Sequence, residues 1–148
     1  MRKALRLSML VCSVVLCLSA VTAWAQDAPV VLTGAQLARV VPPGFYYAGQ
    51  SAPTQMRNSA AARFGTNRYV VASLVDTSGY SADVRAAYEG FLITDSRVSV
   101  QGIELPTGAY GFGFADDGKL NIYDVGGHIV LTVATERDAG LRRPRVDE

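Results

Sequence analysis

From Val98 to Ala134 the chain alternates apolar and polar residues with a period of two. Three runs carry the pattern: Tyr110/Phe112/Phe114, Leu120/Ile122 and Ile129/Leu131/Val133. Between them stand Asp116-Asp117-Gly118 and Gly126-Gly127. Successive side chains of an extended chain point to opposite faces, so period two buries one face of each run. Asp-Gly and Gly-Gly steps supply the left-handed residues that tight hairpin turns need. The stretch therefore predicts a β-meander, and whatever precedes it has to cover the apolar face of an antiparallel sheet.

The first 25 residues read as an export signal. Arg2, Lys3 and Arg6 form a charged start, Leu10 to Leu18 an apolar run short for a bilayer, and Ala23-Trp24-Ala25 a small-x-small cleavage pattern. Cleavage there leaves Gln26 first and no stable membrane anchor. Cys12 and Cys17, the two cysteines, lie in this segment, and Val11 and Leu16 before them are not the small residues that lipid attachment requires. The remainder has no thiol for a disulfide, a nucleophile or a thiolate metal site. Three of the 14 Lys and Arg precede Gln26, whereas all 13 Asp and Glu follow it, so the remainder is slightly acidic. That balance speaks against nucleic acid as a partner.

In the part upstream of the meander, Thr33 to Val41 predicts a two-turn helix ended by Pro42-Pro43, with a strand as the alternative. Phe45-Tyr46-Tyr47 is strand-like and Gly49 to Pro53 turn-like. Thr54 to Asn58 alternates, which would turn Met56 inward and Gln55 and Arg57 outward. Ser59 to Thr66 reads as loop. Arg68 to Val75 is apolar on both parities, the mark of a central strand covered on both sides. Ser81 to Glu89 reads as a short helix with Ser81 as cap and Gly90 as stop, with a strand as the alternative from the Val84/Ala86/Tyr88 alternation. Phe91 to Thr94 and Val98/Val100 are strands, the latter closed by Gln101-Gly102. The sum is an all-β chain with one or two short helices, a small antiparallel β-sandwich or alternatively a small β-barrel. It divides into a signal peptide (1–25), a single β-rich domain (26–137) and a disordered charged tail (138–148).

Gly102-Ile103-Glu104-Leu105-Pro106-Thr107-Gly108-Ala109-Tyr110 resembles the L-P-x-G-x-Y turn of Greek-key β-sandwich modules in exported proteins. It is similar in particular to a family of exported bacterial proteins of unknown function that read G-x-x-L-P-A-G-x-Y, with Thr107 where that family has Ala. The resemblance implies a sandwich and brings no catalytic residues. The motif has physical sense: Pro106 stiffens the entry, Gly108 can take a positive φ, and Tyr110 opens a strand with its hydroxyl at the rim.

The chemistry-bearing patterns are few. His128, the single histidine, sits beside a turn without H-x-H or H-x-x-H spacing, so no metal site is expected. Gly111-Phe112-Gly113-Phe114 has Asp116 where a dinucleotide fingerprint needs glycine, so no nucleotide cofactor is expected. Its bare glycine face marks close approach of another backbone, a bulge or a ligand. Asp116-Asp117-Gly118 lacks the ligand spacing of a calcium loop. Leu74-Val75-Asp76-Thr77-Ser78-Gly79 resembles the Asp-Thr-Gly signature of aspartic proteases, but Ser78 displaces the glycine that orients the carboxylate. Asp76 then reads as the start of an Asx-turn onto Ser78 or Gly79.

Polar residues off strand ends, namely Gln50, Gln55, Arg57, Asn58, Asp76 and Tyr80, make the candidate binding cluster. They line a site for a polar ligand, or form a hydrogen-bond network joined by Arg57 and Asp76. No catalytic residue is assigned. The expectation is a bacterial, periplasmic or secreted, non-catalytic β-domain that binds a small polar or amphipathic molecule or a protein partner. A hydrolase using Asp76 and a structural envelope-associated module are the alternatives.

Overall fold

A computed structural model describes residues 28–136, 138 and 140. The expected signal peptide and nearly all of the expected tail lie outside these residues. The strands are β1 (Val30–Val31), β2 (Gly44–Tyr47), β3 (Gln50–Phe64), β4 (Arg68–Val75), β5 (Gly90–Thr94), β6 (Val98–Val100), β7 (Ile103–Leu105), β8 (Gly108–Phe114), β9 (Lys119–Tyr123) and β10 (Ile129–Ala134). Two short helices, α1 (Gly34–Val40) and α2 (Ala82–Ala87), complete the set. The chain is all-β with antiparallel pairing throughout.

The main sheet runs β1-β3-β4-β5-β8-β9-β10, with β2 paired to the first part of β3, and β6-β7 is a separate hairpin. The sheet does not close. β1 and β10 remain its edges, so the barrel alternative gives way to the expected small antiparallel sandwich, an open sheet covered on both faces. β4 lies inside the sheet as its apolar run predicts, but its burial is strong on one face only. The strands buried on both faces are β5 and β8.

Each face has its own core. On one, Val71, Val75 and Phe91 of the sheet meet Phe45 and Tyr47 of β2, Tyr88, Leu32 and Val41. On the other, Tyr110, Ile122, Leu131 and Val133 meet Leu105 of the β6-β7 hairpin. The meander supplies the second core almost alone, because β8, β9 and β10 are joined by the expected turns, with Gly118 and Gly127 at positive φ. A register shift between Ile129 and Leu131 displaces Ile129 from the buried row, and it is 58% exposed.

α1 ends before Pro42-Pro43 as predicted, although the Thr33 side chain makes no capping bond. α2 starts on Ser81, whose Oγ accepts from Val84 N, but it stops at Ala87 rather than at Glu89. Tyr88 leaves the helix and enters the first core, fully buried, with its ring stacked on Tyr47 and its hydroxyl donating to Phe45 O at 3.0 Å. Burial pushes the Tyr88 phenol well above its ordinary value, with smaller contributions from Tyr80 and Tyr47.

β8 explains its own glycines. Gly113 faces the end of α2, where an added Cβ would lie 2.6 Å from Ala87 O, and Gly111 faces the Tyr47 ring at 2.7 Å. The bare face therefore admits a helix end and an aromatic ring. Gly108 differs from expectation: its φ is not positive. Its missing Cβ instead leaves room for the Tyr110 ring, which leans back so that its hydroxyl donates to Pro106 O at 2.8 Å.

Candidate functional site

Between Thr54, opposite Val75, and Ser59, opposite Ser73, β3 advances five residues while β4 advances two. The surplus forms a long bulge over 55–58. The Ser59–Thr66 region, expected as loop, continues the strand to Phe64, because β4 and β1 pair with it from either side. Met56, expected inward, is thrown outward and is 41% exposed. A bulge bends its strand and re-aims side chains, so strict alternation cannot survive it.

The inner side chains of the bulge are committed to holding its shape. Gln55 Nε2 donates to Val75 O at 2.9 Å, and Asn58 Nδ2 donates to Gln55 Oε1 at 2.6 Å. Ser59 Oγ donates to Gln55 O at 3.1 Å and lies 2.7 Å from Ser73 Oγ, itself buried. A half-buried polar network of this kind is stabilising only when its members are satisfied, and here each answers another. What the bulge presents to solvent is Met56 and Arg57.

Asp76 and Tyr80 border the same region from the exit of β4. Asp76 N donates to Pro53 O at 2.8 Å, and the Tyr80 hydroxyl donates to Ser51 O. Gln55 and Asn58 thus bond each other within the bulge, whereas Asp76 and Tyr80 bond the main chain of Pro53 and Ser51 nearer the start of β3. The bond expected to join them is absent: no ion pair links Arg57 to Asp76, and Arg57 has no hydrogen bond to another described residue. Arg57 faces outward, as the alternation of Thr54 to Asn58 predicts, whereas Gln55, also expected outward, is half-buried by the bulge.

The Asp76 carboxylate instead closes an Asx-turn, accepting from Ser78 N at 3.0 Å. That backbone bond and the Ser78 hydroxyl hold Asp76 below the usual carboxylate range.

Sequence reasoning missed two other features. Asp124 gathers its turn, accepting from Gly126 N and His128 N at 2.9 Å each, with His128 Nδ1 3.1 Å away. The exposed His128 is thereby a turn residue. Among the described residues no three His, Cys, Asp or Glu side chains gather as metal ligands, and no helix is long and apolar enough to cross a membrane. The described residues also form a shallow open cleft, lined by Gln101, Ala134, Thr135 and Glu136. Aspartate in an Asp-x-Gly turn was the available signal for the first; the cleft joins residues more than 30 positions apart and has none.

No protein-family model, curated protein or solved structure matches the chain.

Proposed function

We propose that this is an exported, non-catalytic β-domain that binds a protein partner, with the bulge of β3 as its contact point. The observation that carries the reading is the division of labour within the bulge. Gln55, Asn58, Ser59 and Ser73 hold a multi-residue excursion in one shape, while Met56 and Arg57 stand exposed on top of it. Met and Arg are enriched at the centres of protein interfaces, and a rigid mount lowers the ordering cost of docking. Export rests on the residue pattern of 1–25.

The test is site-specific photo-crosslinking in the exporting host. A photoreactive residue at position 57 should give a discrete adduct, and one at the exposed Ser99 should not. The double variant Met56→Ala, Arg57→Ala should lose partner capture while stability changes by no more than about 0.5 kcal/mol, as for exposed side chains elsewhere. No adduct from position 57, or the same adduct from position 99, overturns the reading.

A further inference from the structure

A second surface follows from the opposite edge of the sheet. Among the described residues, β10 pairs with β9 on one side only, in the register Thr132↔Asn121, Val133↔Leu120 and Ala134↔Lys119. Thr135 N donates to Gly118 O, so along this ladder the main chain of Leu131, Val133 and Thr135 faces β9. The alternate residues, Val130, Thr132 and Ala134, turn their main-chain donors and acceptors away from the sheet. Ala134 O confirms the phase, since it accepts from the Gln101 side chain at 2.6 Å.

We propose that two copies of this chain pair through β10, antiparallel about a two-fold axis at Thr132, to make one continuous sheet. Apart from Ala134 O, which the Gln101 amide holds, the outward groups are symmetric about that residue: Val130 of either copy meets Ala134 of the other, and Thr132 meets Thr132. A two-fold contact of this kind requires self-complementarity, and this strand has it. Between Ile129 and Ala134 there is no charge and no proline, the usual devices that blunt an edge, so a second copy brings no like charges together. On the buried face, Leu131 of one copy comes beside Val133 of the other, which extends the second core across the junction. Val130, 44% exposed, gains cover on the other face.

Two features limit the pairing and fix its extent. The register shift between Ile129 and Leu131 ends regular geometry at Val130. The Gln101 amide, on the two-residue turn of the β6-β7 hairpin, occupies Ala134 O and has to swing aside. At the far edge β1 has only two paired residues, too few to compete.

Charge exchange at position 132 tests the proposal. Thr132 is exposed and its side chain bonds only Asn121 Oδ1, so Thr132→Lys and Thr132→Glu should both fold with little change in melting temperature. Sedimentation of the chain purified from an exporting host should show a dimer. Each variant alone should dissociate at least about tenfold more readily, because the axis sets like charges directly opposite. Mixing the two variants should restore a dimer containing one of each. A wild-type chain that stays monomeric at every concentration reached, including one that pairs only with an added foreign strand, overturns the proposal. So does a mixture that remains monomeric, or a dimer indifferent to both substitutions. None of these outcomes involves the bulge of β3.

Discussion

The two faces of the sheet hold cores of different origin. The face under the β6-β7 hairpin draws Leu105, Tyr110, Ile122, Leu131 and Val133 from one continuous stretch of chain. The opposite face draws Leu32, Phe45, Tyr47, Val71, Tyr88 and Phe91 from segments scattered over 60 positions, and four of those six are aromatic. Neighbouring strands joined by short turns need only alternate to bury a common face. A core assembled from afar needs rings large enough to bridge the gaps and backbone bare enough to admit them. Phe45 stacks on Phe91 with centroids 4.8 Å apart, and Tyr47 on Tyr88 at 4.6 Å, over the glycine face of β8. The scattered core is therefore the more fragile of the two.

Tyr88→Ala should break that contrast open most widely. The ring is fully buried and stacked, and its hydroxyl satisfies Phe45 O. Removing it should cost about 3–5 kcal/mol, against a total of about 5–15 for a domain of this class. Val133→Ala, in the contiguous core, should cost no more than about half as much, since a smaller side chain leaves a smaller void. Urea unfolding of both variants measures the difference, and equal losses would dissolve the distinction between the faces.

Gly113→Ala sharpens the same comparison at the level of backbone. The new methyl would meet Ala86 O and Ala87 O within 2.7 Å, and these belong to the main chain and cannot rotate away. A loss of about 1–3 kcal/mol is expected from overpacking. Gly118→Ala on the neighbouring turn serves as control. Nothing lies within 4 Å of an added Cβ there, so its cost arises from positive φ alone. Thermal melting of the two variants should show the larger loss in Gly113→Ala.

What was legible in the residues follows from this division. The meander, its turns and the all-β class are written in local alternation and in Asp-Gly and Gly-Gly steps. The bare face of β8 was legible too, as Gly111 and Gly113 against Tyr110, Phe112 and Phe114, although which backbone approaches it was not. The bulge of β3 was hidden, because Thr54 to Asn58 alternates as a regular strand would. Its three surplus residues are set by where β4 pairs, a long-range fact. The same holds for Ser59 to Phe64, small and polar enough to read as loop until two strands claim it. Of the candidate site, the bonding of Gln55 and Asn58 was legible as polar residues off strand ends. The pairing of Arg57 with Asp76 was not there to be read, since one faces outward and a turn occupies the other.

The smallest expected effect concerns the turn that closes the contiguous core. The backbone N–H of His128 leads the groups that hold the Asp124 carboxylate below its usual range, helped by the His128 ring and the Gly126 N–H. A carboxylate with a depressed native pKa binds protons more weakly folded than unfolded. Its stabilisation is therefore complete above the ordinary carboxylate pKa of about 3.9 and fades as pH falls through the lower native value. Asp124→Ala removes that term at every pH. The melting temperatures of wild type and variant should differ at neutral pH and converge as the solution is acidified below the ordinary carboxylate range. Because the group is solvent-exposed, the gap should be small and should not exceed that of Gly113→Ala. A gap that stays constant or widens in acid would overturn the anchored carboxylate as the support of this turn.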